Sequence, residues 1–352
     1  MIVVNARFLT QQTTGVQRYA AEIARRLKEL VPDTVFVSPH DTFHNELADE
    51  LNAERIGRFT GHLWEQFSLP RFLRRQRVRP LLANLANTAP LYYRPKIVTI
   101  HDVAFMENPE WFSRRFARFY RYVIPRIAKS ADKVVTVSEF SKREIIRLLH
   151  VPHEKIIVIN DAVCDCFLQP DSSSRHNEYG DYILTVSSLN PRKNFKRMLQ
   201  AFEELNRHDI KLVIVGSENS HLASGEIITL LQSRDRVIFT GFIPNKELAA
   251  LYSGAKVFLY LSLYEGFGIP PLEAMACGCP CLVSNTSSLS EVCGDAALYC
   301  DPYDVTDIAA KMKSLLDDED LRSQLIARGS ARVQEFSWDK SAQALLDVIK
   351  SV

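Results

Sequence analysis

Short apolar runs recur along the chain, and most are followed by a polar loop and then by a segment with helical periodicity. Residues 2–4 and 97–100 are runs of this kind, and residues 16–30 carry apolar side chains at helical spacing. The same alternation restarts at residues 182–186 and continues to the C-terminal segment. Alternating strands and helices predict an α/β fold built on doubly wound parallel sheets.

The length of the chain and one polar segment indicate two domains. A chain of 352 residues is long for one domain and natural for two. Residues 169–180 read QPDSSSRHNEYG, and this Ser-rich polar composition predicts a linker. We therefore predict an N-terminal domain over 1–168, a C-terminal domain over 181–335 and a helical tail over 336–352.

The stretch 257–283 predicts a strand, a glycine loop, a helix and a second strand. The loop 265–268 reads EGFG, and its glycines let a ligand approach the main chain closely. The start of the following helix would attract an anion, whereas the carboxylates of Glu265 and Glu273 would suit hydroxyl groups. A nucleotide-sugar has both features. The alternative is that Glu273 only complements the helix dipole and that Glu265 is solvated.

Glu265 and Glu273 stand with seven residues between them inside EGFGIPPLE. This pattern resembles the Glu-x7-Glu signature of retaining glycosyltransferase family 4, and the chain is similar to bacterial surface-polysaccharide mannosyltransferases over nearly its whole length. The resemblance implies the GT-B fold, in which two Rossmann-like domains face a cleft. Residues 1–168 would then bind the acceptor, residues 181–335 would bind the nucleotide-sugar, and the helix in 336–352 would cross back to the first domain.

Two further polar elements stand where such a site needs them. His101 and Asp102 follow the strand 97–100, and the carboxyl ends of parallel strands line the ligand crevice of open α/β sheets. A capping turn is the alternative for this pair. Arg192 and Lys193 lie at a strand-to-helix junction and suit a diphosphate, although two adjacent cations are also common on a protein surface.

The resemblance also implies roles for individual residues. The residues with implied catalytic roles are His101, Arg192, Lys193 and Glu265. The imidazole would contact the donor sugar, the two cations would bind the diphosphate, and Glu265 would bind sugar hydroxyls, while Glu273 would hold the ribose. The residues implied to bind the donor are Gly15, Val16, Asp102, Phe242, Ile243, Gly266, Phe267, Gly268, Ile269, Leu272 and Glu273.

The reaction that the resemblance implies is retaining transfer of a hexose to a hydroxyl of a lipid-linked glycan in lipopolysaccharide O-antigen or capsule biosynthesis. GDP-mannose is the first expected donor, and dTDP-rhamnose and UDP-hexoses are the alternatives. A nucleotide-sugar epimerase or a phosphorylase could share the fold, but a phosphorylase needs a cofactor-lysine site that the sequence lacks. A non-catalytic carbohydrate-binding scaffold is the alternative of another class, and the intact site residues argue against it.

Charge is distributed unevenly over a chain whose formal net charge is +1. Residues 1–170 hold 25 Lys and Arg against 18 Asp and Glu, and the remainder is acidic. Residues 111–131 interleave aromatic side chains with cations, which predicts a basic amphipathic helix. An anionic membrane surface is the expected partner, and a solvated cationic face over an aromatic core is the alternative. The cations expected to contact the membrane are Arg114, Arg115, Arg118 and Arg121.

Composition sets limits on cofactors and on location. The sequence has no DxD-like carboxylate pair at a strand end, and Cys277, Cys279 and Cys281 lack the CxxC spacing of zinc sites, so no metal and no other cofactor is expected. No apolar run reaches the roughly 20 residues of a membrane helix, and no nucleic-acid reader module is evident. The start of the chain does not resemble a signal peptide. The seven cysteines are odd in number, which does not suggest a set of disulfides, so we expect the protein in the reducing cytoplasm. There it would be peripheral on the inner face of the membrane.

Overall fold

The structure is a computed structural model that describes residues 1–86, 88–168, 178–187, 190–216 and 234–352. Of the predicted linker, residues 169–177 lie outside this described part. The chain separates into two compact units. The first contains Met1–Asp161 and Ser337–Val352, and the second contains Ala162–Phe336.

A parallel sheet forms the centre of the first unit, with the order β3-β2-β1-β4-β5-β6-β7 among the described residues. Its strands are β1 Ile2–Asn5, β2 Val35–Ser38, β3 Glu54–Arg55, β4 Leu81–Asn84, β5 Lys96–Thr99, β6 Lys133–Thr136 and β7 Ile156–Val158. In this order β1 lies between β2 and β4, and β5 follows β4. The last residues of these strands are in register, because Asn5 pairs with Asn84 and Asn84 pairs with Val98. The carboxyl ends of β1, β4 and β5 therefore lie side by side.

Helices cover the sheet of the first unit. They are Gly15–Leu30, Asn45–Glu50, Gly61–Leu63, Leu69–Arg74, Ala104–Glu107, Arg114–Ser130, Glu139–Leu149 and Trp338–Lys350, with a π-turn at Trp64–Ser68 and shorter 3-10 turns at Arg7–Thr10, Pro109–Trp111 and His153–Lys155. Serine side chains cap the N-termini of two of these helices. Ser113 Oγ accepts from Phe116 N at 3.3 Å, and Ser138 Oγ accepts from Ser141 N at 3.0 Å. These bonds satisfy N–H groups that a helix start leaves unpaired.

The last helix of the chain, Trp338–Lys350, belongs to the first unit. Ser341 Oγ donates to Asn160 O at 2.7 Å, and Arg26 Nε lies 2.5 Å from the carboxylate of Asp339. The Trp338 ring is buried, and its centroid is 5.9 Å from that of the Tyr19 ring. The C-terminal helix is thus held by apolar packing and by hydrogen bonds to residues 181 and 313 positions away in the sequence.

The second unit also contains a parallel sheet, with the order β10-β9-β8-β11-β12-β13 in the described part. Its strands are β8 Tyr182–Val186, β9 Lys211–Val215, β10 Val237–Gly241, β11 Val257–Tyr260, β12 Cys281–Ser284 and β13 Ala297–Cys300. The helices are Asp165–Leu168, Phe195–Glu204, Asn245–Gly254, Ile269–Ala276, Leu289–Cys293, Val305–Asp317 and Glu319–Val333, with 3-10 turns at Pro191–Lys193 and Arg234–Arg236. A hydrophobic cluster that includes Ile183, Leu212 and Leu259 covers one face of the sheet. Leu184, Val213 and Val283 are buried on the other face.

The predicted α/β class with parallel sheets is confirmed in both units. The strands expected at 2–4, 97–100 and 182–186 are present, as is the helix expected at 16–30. The strands β3, β4 and β13 were not predicted individually. β3 consists of two exposed residues at the sheet edge, where no buried face generates an alternating pattern, and β4 ends in a polar residue that a local pattern assigns to a loop.

Candidate active site

In the first unit, His101 follows β5 at the carboxyl edge of the sheet. Its side chain is buried, and Nε2 lies 3.2 Å from the main-chain oxygen of Leu85, which follows β4. Ser141 Oγ donates to the main-chain oxygen of His101 at 3.1 Å. Because a carbonyl oxygen can only accept, the hydrogen bond places the ring proton on Nε2.

Burial determines the charge of His101. It lowers the pKa of the imidazole to about 4, although the hydrogen bond to Leu85 and the nearby Asp102 carboxylate oppose this change. The ring is therefore neutral at neutral pH. The edge of the Tyr19 ring packs against it, with centroids 4.8 Å apart and an angle of 85° between the planes.

The surroundings of His101 include polar groups whose role the sequence did not reveal. Tyr19 is fully buried, and burial raises the pKa of its hydroxyl, which lies close to Thr99 and Asp161. Burial also raises the pKa of the Asp161 carboxyl well above its usual range. The neutral imidazole of His101 therefore packs on a buried tyrosine whose hydroxyl is uncharged at neutral pH.

The other three predicted site residues of this unit are Asp102, Gly15 and Val16, and they lie in different environments. Asp102 is half-buried, and its carboxylate accepts from Ala104 N at 3.1 Å, which is the capping turn named above as the alternative. Gly15 and Val16 begin a helix, and Gly15 is exposed. A Cβ at Gly15 would contact nothing within 4 Å, so packing inside the unit does not require glycine there.

In the second unit, Lys193 and Glu265 form a buried ion pair. Lys193 Nζ lies 2.5 Å from Glu265 Oε1, and the two side chains are 12% and 9% exposed. Lys193 Nζ also lies 2.9 Å from the Tyr260 hydroxyl and 4.8 Å from the centre of that ring. The sequence predicted that both residues belong to one site, but it did not predict that they bind each other.

Charges keep Glu265 ionised despite its burial. Burial alone raises the pKa of this carboxyl, but the charges of Lys193 and Arg192 outweigh it, and the net effect is a lowered pKa. Arg192 is half-buried and immediately precedes Lys193. Its main-chain oxygen accepts from Leu263 N at 2.7 Å. This hydrogen bond joins the turn Pro191–Lys193 to the loop after β11.

Two serines that follow β12 hold the glycine loop in place. Glu265 N donates to Ser287 Oγ at 3.1 Å. Ser288 Oγ lies 3.0 Å from the main-chain oxygen of Glu265 and 2.7 Å from that of Phe267. Sequence reasoning missed both serines because they are more than 20 residues away from the loop, and no local pattern marks them.

Gly268 is the position in this loop that requires glycine. Its φ is +107°, and a Cβ there would lie 2.7 Å from Leu289 Cδ2. The helix Ile269–Ala276 begins directly after it, with prolines in the first turn as predicted. Gly266, Phe267, Ile269 and Leu272 are buried.

The remaining predicted donor-binding residues lie in two different settings. Glu273 is 3% exposed, and its carboxylate accepts from the Tyr252 hydroxyl at 3.1 Å. Phe242 and Ile243 follow β10, which is the edge strand, and Phe242 is 86% exposed. The structure therefore brings Lys193, Glu265 and Arg192 together, while Glu273 lies on the helix that follows the loop.

The basic aromatic helix forms as predicted, over Arg114–Ser130. A surface groove of about 1010 Å³ is lined by Arg114, Arg118, Arg121, Arg126, Phe112 and Tyr122, among others. The Arg126 guanidinium lies 3.6 Å from the centre of the Tyr122 ring. On the inner side, Phe116 and Tyr120 stack with centroids 3.9 Å apart. Both the cationic outer face and the aromatic inner face are therefore present.

Among the residues that the structure describes, no group of three or more His, Cys, Asp or Glu side chains is placed to hold a metal ion. None of the helices described above is both long and apolar enough to cross a membrane. The cysteines at 277, 279 and 281 are buried free thiols whose pKa values are raised by burial.

Known families match both halves of the chain. Residues 13–165 match the family described as Glycosyltransferase Family 4, and residues 168–332 match the family described as Glycosyl transferases group 1. O-antigen chain mannosyltransferase B of Escherichia coli is 29% identical over 96% of this chain and 96% of its own length. Serotype-specific mannosyltransferase WbdA of Escherichia coli is 32% identical over 71% of this chain, which spans only 33% of that longer protein.

The fold matches that of solved structures that include glycosyltransferases. The crystal structure of Anabaena Alr3699/HepE in complex with UDP and glucose superposes with a TM-score of 0.81, covers 100% of this chain and 99% of its own, and is 18% identical. At this identity the likeness concerns the fold. The chain therefore has the GT-B fold and belongs to glycosyltransferase family 4.

Proposed function

We propose that this protein transfers a mannosyl group from GDP-mannose to a hydroxyl of a lipid-linked glycan during O-antigen synthesis, with retention of configuration and without a metal ion. The relatives that match over most of this chain carry the names of O-antigen mannosyltransferases, at 29% and 26% identity. That similarity supports the choice of sugar and of pathway. The observation that carries the chemistry is the buried Lys193–Glu265 pair beside Arg192.

The proposed reaction exchanges one C–O bond for another. The bond between C1 of mannose and the β-phosphate oxygen breaks, and a bond forms between C1 and the acceptor oxygen. The acceptor proton passes to the departing phosphate, so the products are the glycoside and GDP. Arg192 and Lys193 stabilise the negative charge that grows on the diphosphate, and such preorganised charge is usually the largest catalytic contribution.

Donor binding in this scheme separates the buried ion pair. A phosphate oxygen replaces Glu265 as the partner of Lys193, and the sugar hydroxyls replace Lys193 as the partner of Glu265. Neither charge is then left buried without a partner, which would be costly. A ligand that offers an anion and hydroxyls a few ångströms apart is required for this exchange, and a nucleotide-sugar has that structure.

A screen of nucleotide-sugars tests the proposal. GDP-mannose should raise the unfolding temperature more than dTDP-rhamnose or UDP-glucose, because the donor with the lowest Kd stabilises the folded state most. At a hundredfold excess over Kd this stabilisation is about 2.7 kcal/mol.

Variants of the site test the roles of single residues. Lys193→Ala should slow donor hydrolysis about 100-fold or more, and Glu273→Ala should weaken donor binding. Lys256→Ala, which removes a more exposed cation of the same unit, is the matched control and should behave as wild type. Chelation of divalent metals should leave the rate unchanged.

The proposal fails in one of two ways in this screen. If no nucleotide-sugar stabilises the protein or is consumed, the enzyme is not a glycosyltransferase and the carbohydrate-binding scaffold is favoured. If dTDP-rhamnose or UDP-glucose is consumed faster than GDP-mannose, the donor is misassigned while the transferase chemistry stands.

The neutral state of His101 predicts a specific pH dependence of stability. The folded imidazole takes up a proton near pH 4, whereas the unfolded one does so near its ordinary pKa of 6.5. The unfolded state therefore binds more protons between these values, and stability falls as the pH is lowered from 6.5 to 4. The loss should approach about 3 kcal/mol, and His101→Asn should lack this part of it.

The free energy of unfolding, measured by urea titration at several pH values, provides the comparison. The difference between wild type and His101→Asn should shrink steadily as the pH falls. His153→Asn, at an exposed histidine of the same unit, is the matched control and should follow wild type. Parallel profiles for wild type and His101→Asn would show that the imidazole is not held neutral by burial.

We expect the cationic face of the helix Arg114–Ser130 to bring the protein to an anionic membrane, where a lipid-linked acceptor would be found. In flotation with vesicles, wild type should rise with those that contain phosphatidylglycerol, and an Arg114→Gln, Arg115→Gln, Arg118→Gln variant should stay behind. A variant that loses three exposed cations elsewhere, at Lys313, Lys340 and Lys350, should still float. Equal binding of wild type to neutral and anionic vesicles would contradict the expectation.

A further inference from the structure

A charged network lies under the carboxyl ends of β1 and β4 in the first unit. At its centre is Glu65, which is 1% exposed. Arg7 Nε lies 2.9 Å from Glu65 Oε1, and Asn5 Nδ2 donates to the same oxygen at 3.0 Å. Thr88 Oγ1 donates to Glu65 Oε2 at 2.7 Å. Each carboxylate oxygen thus has a strong partner, and the charge of Glu65 is matched by that of Arg7.

The network reaches the surface at His62. His62 Nδ1 lies 3.2 Å from Glu65 Oε2, and the His62 side chain is 37% exposed. Since a carboxylate only accepts, Nδ1 carries a proton, and Nε2 is the nitrogen that can accept a hydrogen bond while the ring is neutral. A buried carboxylate that binds an imidazole in this way fixes the orientation of the ring.

Aromatic rings stand beside this imidazole. The Phe119 ring centroid lies 4.7 Å from that of His62, and Phe119 is 37% exposed. Tyr120 packs at 6.0 Å with its plane at 79° to the imidazole. An apolar wall with one fixed polar group suits a sugar ring, whose C–H face packs on aromatic rings while its hydroxyls bind the polar group.

Hydrogen bonds link this surface to the predicted transfer site. Asn5 Nδ2 lies 2.6 Å from Asn84 Oδ1, and Asn84 directly precedes Leu85, whose oxygen lies 3.2 Å from His101 Nε2. His62 and His101 therefore belong to the same edge of the first sheet. All these contacts are made within the first unit.

We propose that His62 and Phe119 bind the sugar of the acceptor, and that Glu65 positions the His62 imidazole for a hydrogen bond to an acceptor hydroxyl. The inference rests on the proposed function, and it assigns the acceptor to a carbohydrate bound through an aromatic face. An uncharged ligand suits the network better than a phosphate, because the charges of Arg7 and Glu65 already compensate each other.

Ligand-observed saturation-transfer NMR on the whole protein, with methyl α-D-mannopyranoside as the probe, tests this assignment. His62→Ala and Phe119→Ala should each weaken binding at least fivefold. His153→Ala and Tyr92→Ala, which remove an exposed imidazole and an exposed ring elsewhere on the same unit, should bind as wild type. Unchanged binding in both site variants, or absence of binding to wild type, would overturn the proposal.

Kinetics separate this inference from the proposed function itself. In a transfer assay, His62→Ala should raise the KM for the acceptor several-fold, while the KM for the donor, the rate of donor hydrolysis and thermal stabilisation by GDP-mannose stay unchanged. A rise in the KM for the donor would place His62 at the donor and overturn the inference. Failure of wild type to bind any nucleotide-sugar would instead refute the glycosyltransferase proposal.

Discussion

The buried ion pair between Lys193 and Glu265 is the interaction on which the second unit depends. Two charges in an environment of low polarity are stable only while each has its partner, and removal of one leaves the other at a cost of about 3–5 kcal/mol. The surrounding main chain maintains this geometry. Leu263 N binds Arg192 O, and Ser287 and Ser288 bind the loop that carries Glu265.

The two units provide different kinds of polar group. In the second unit, neighbouring cations lower the pKa of Glu265, so that a buried carboxylate stays charged. In the first unit, burial lowers the pKa of His101 to about 4 even though the hydrogen bond to Leu85 and the Asp102 carboxylate oppose it, so the imidazole is neutral at neutral pH. An anionic leaving group is best stabilised by charge, whereas a neutral sugar is best positioned by neutral donors and acceptors. The proposed division of roles between the units follows from this difference.

Much of the fold could be predicted because it depends on local patterns. Apolar runs and helical spacing located most strands and helices, and the prolines after Gly268 marked a helix start. The site was predictable only as a set of residues. That Lys193 binds Glu265, 72 positions away, depends on the packing of two loops, and the Asn5–Glu65 bond spans 60 positions. His62, Ser287 and Ser288 have no local signature, so only the structure reveals them.

The most direct measurement is a crystal structure of the protein with GDP-mannose bound. The account predicts that Lys193 Nζ lies within hydrogen-bond distance of a phosphate oxygen, and that Glu265 has exchanged Lys193 for hydroxyls of the mannose. A bound donor with the Lys193–Glu265 pair still intact, and with neither side chain touching the ligand, would contradict the account.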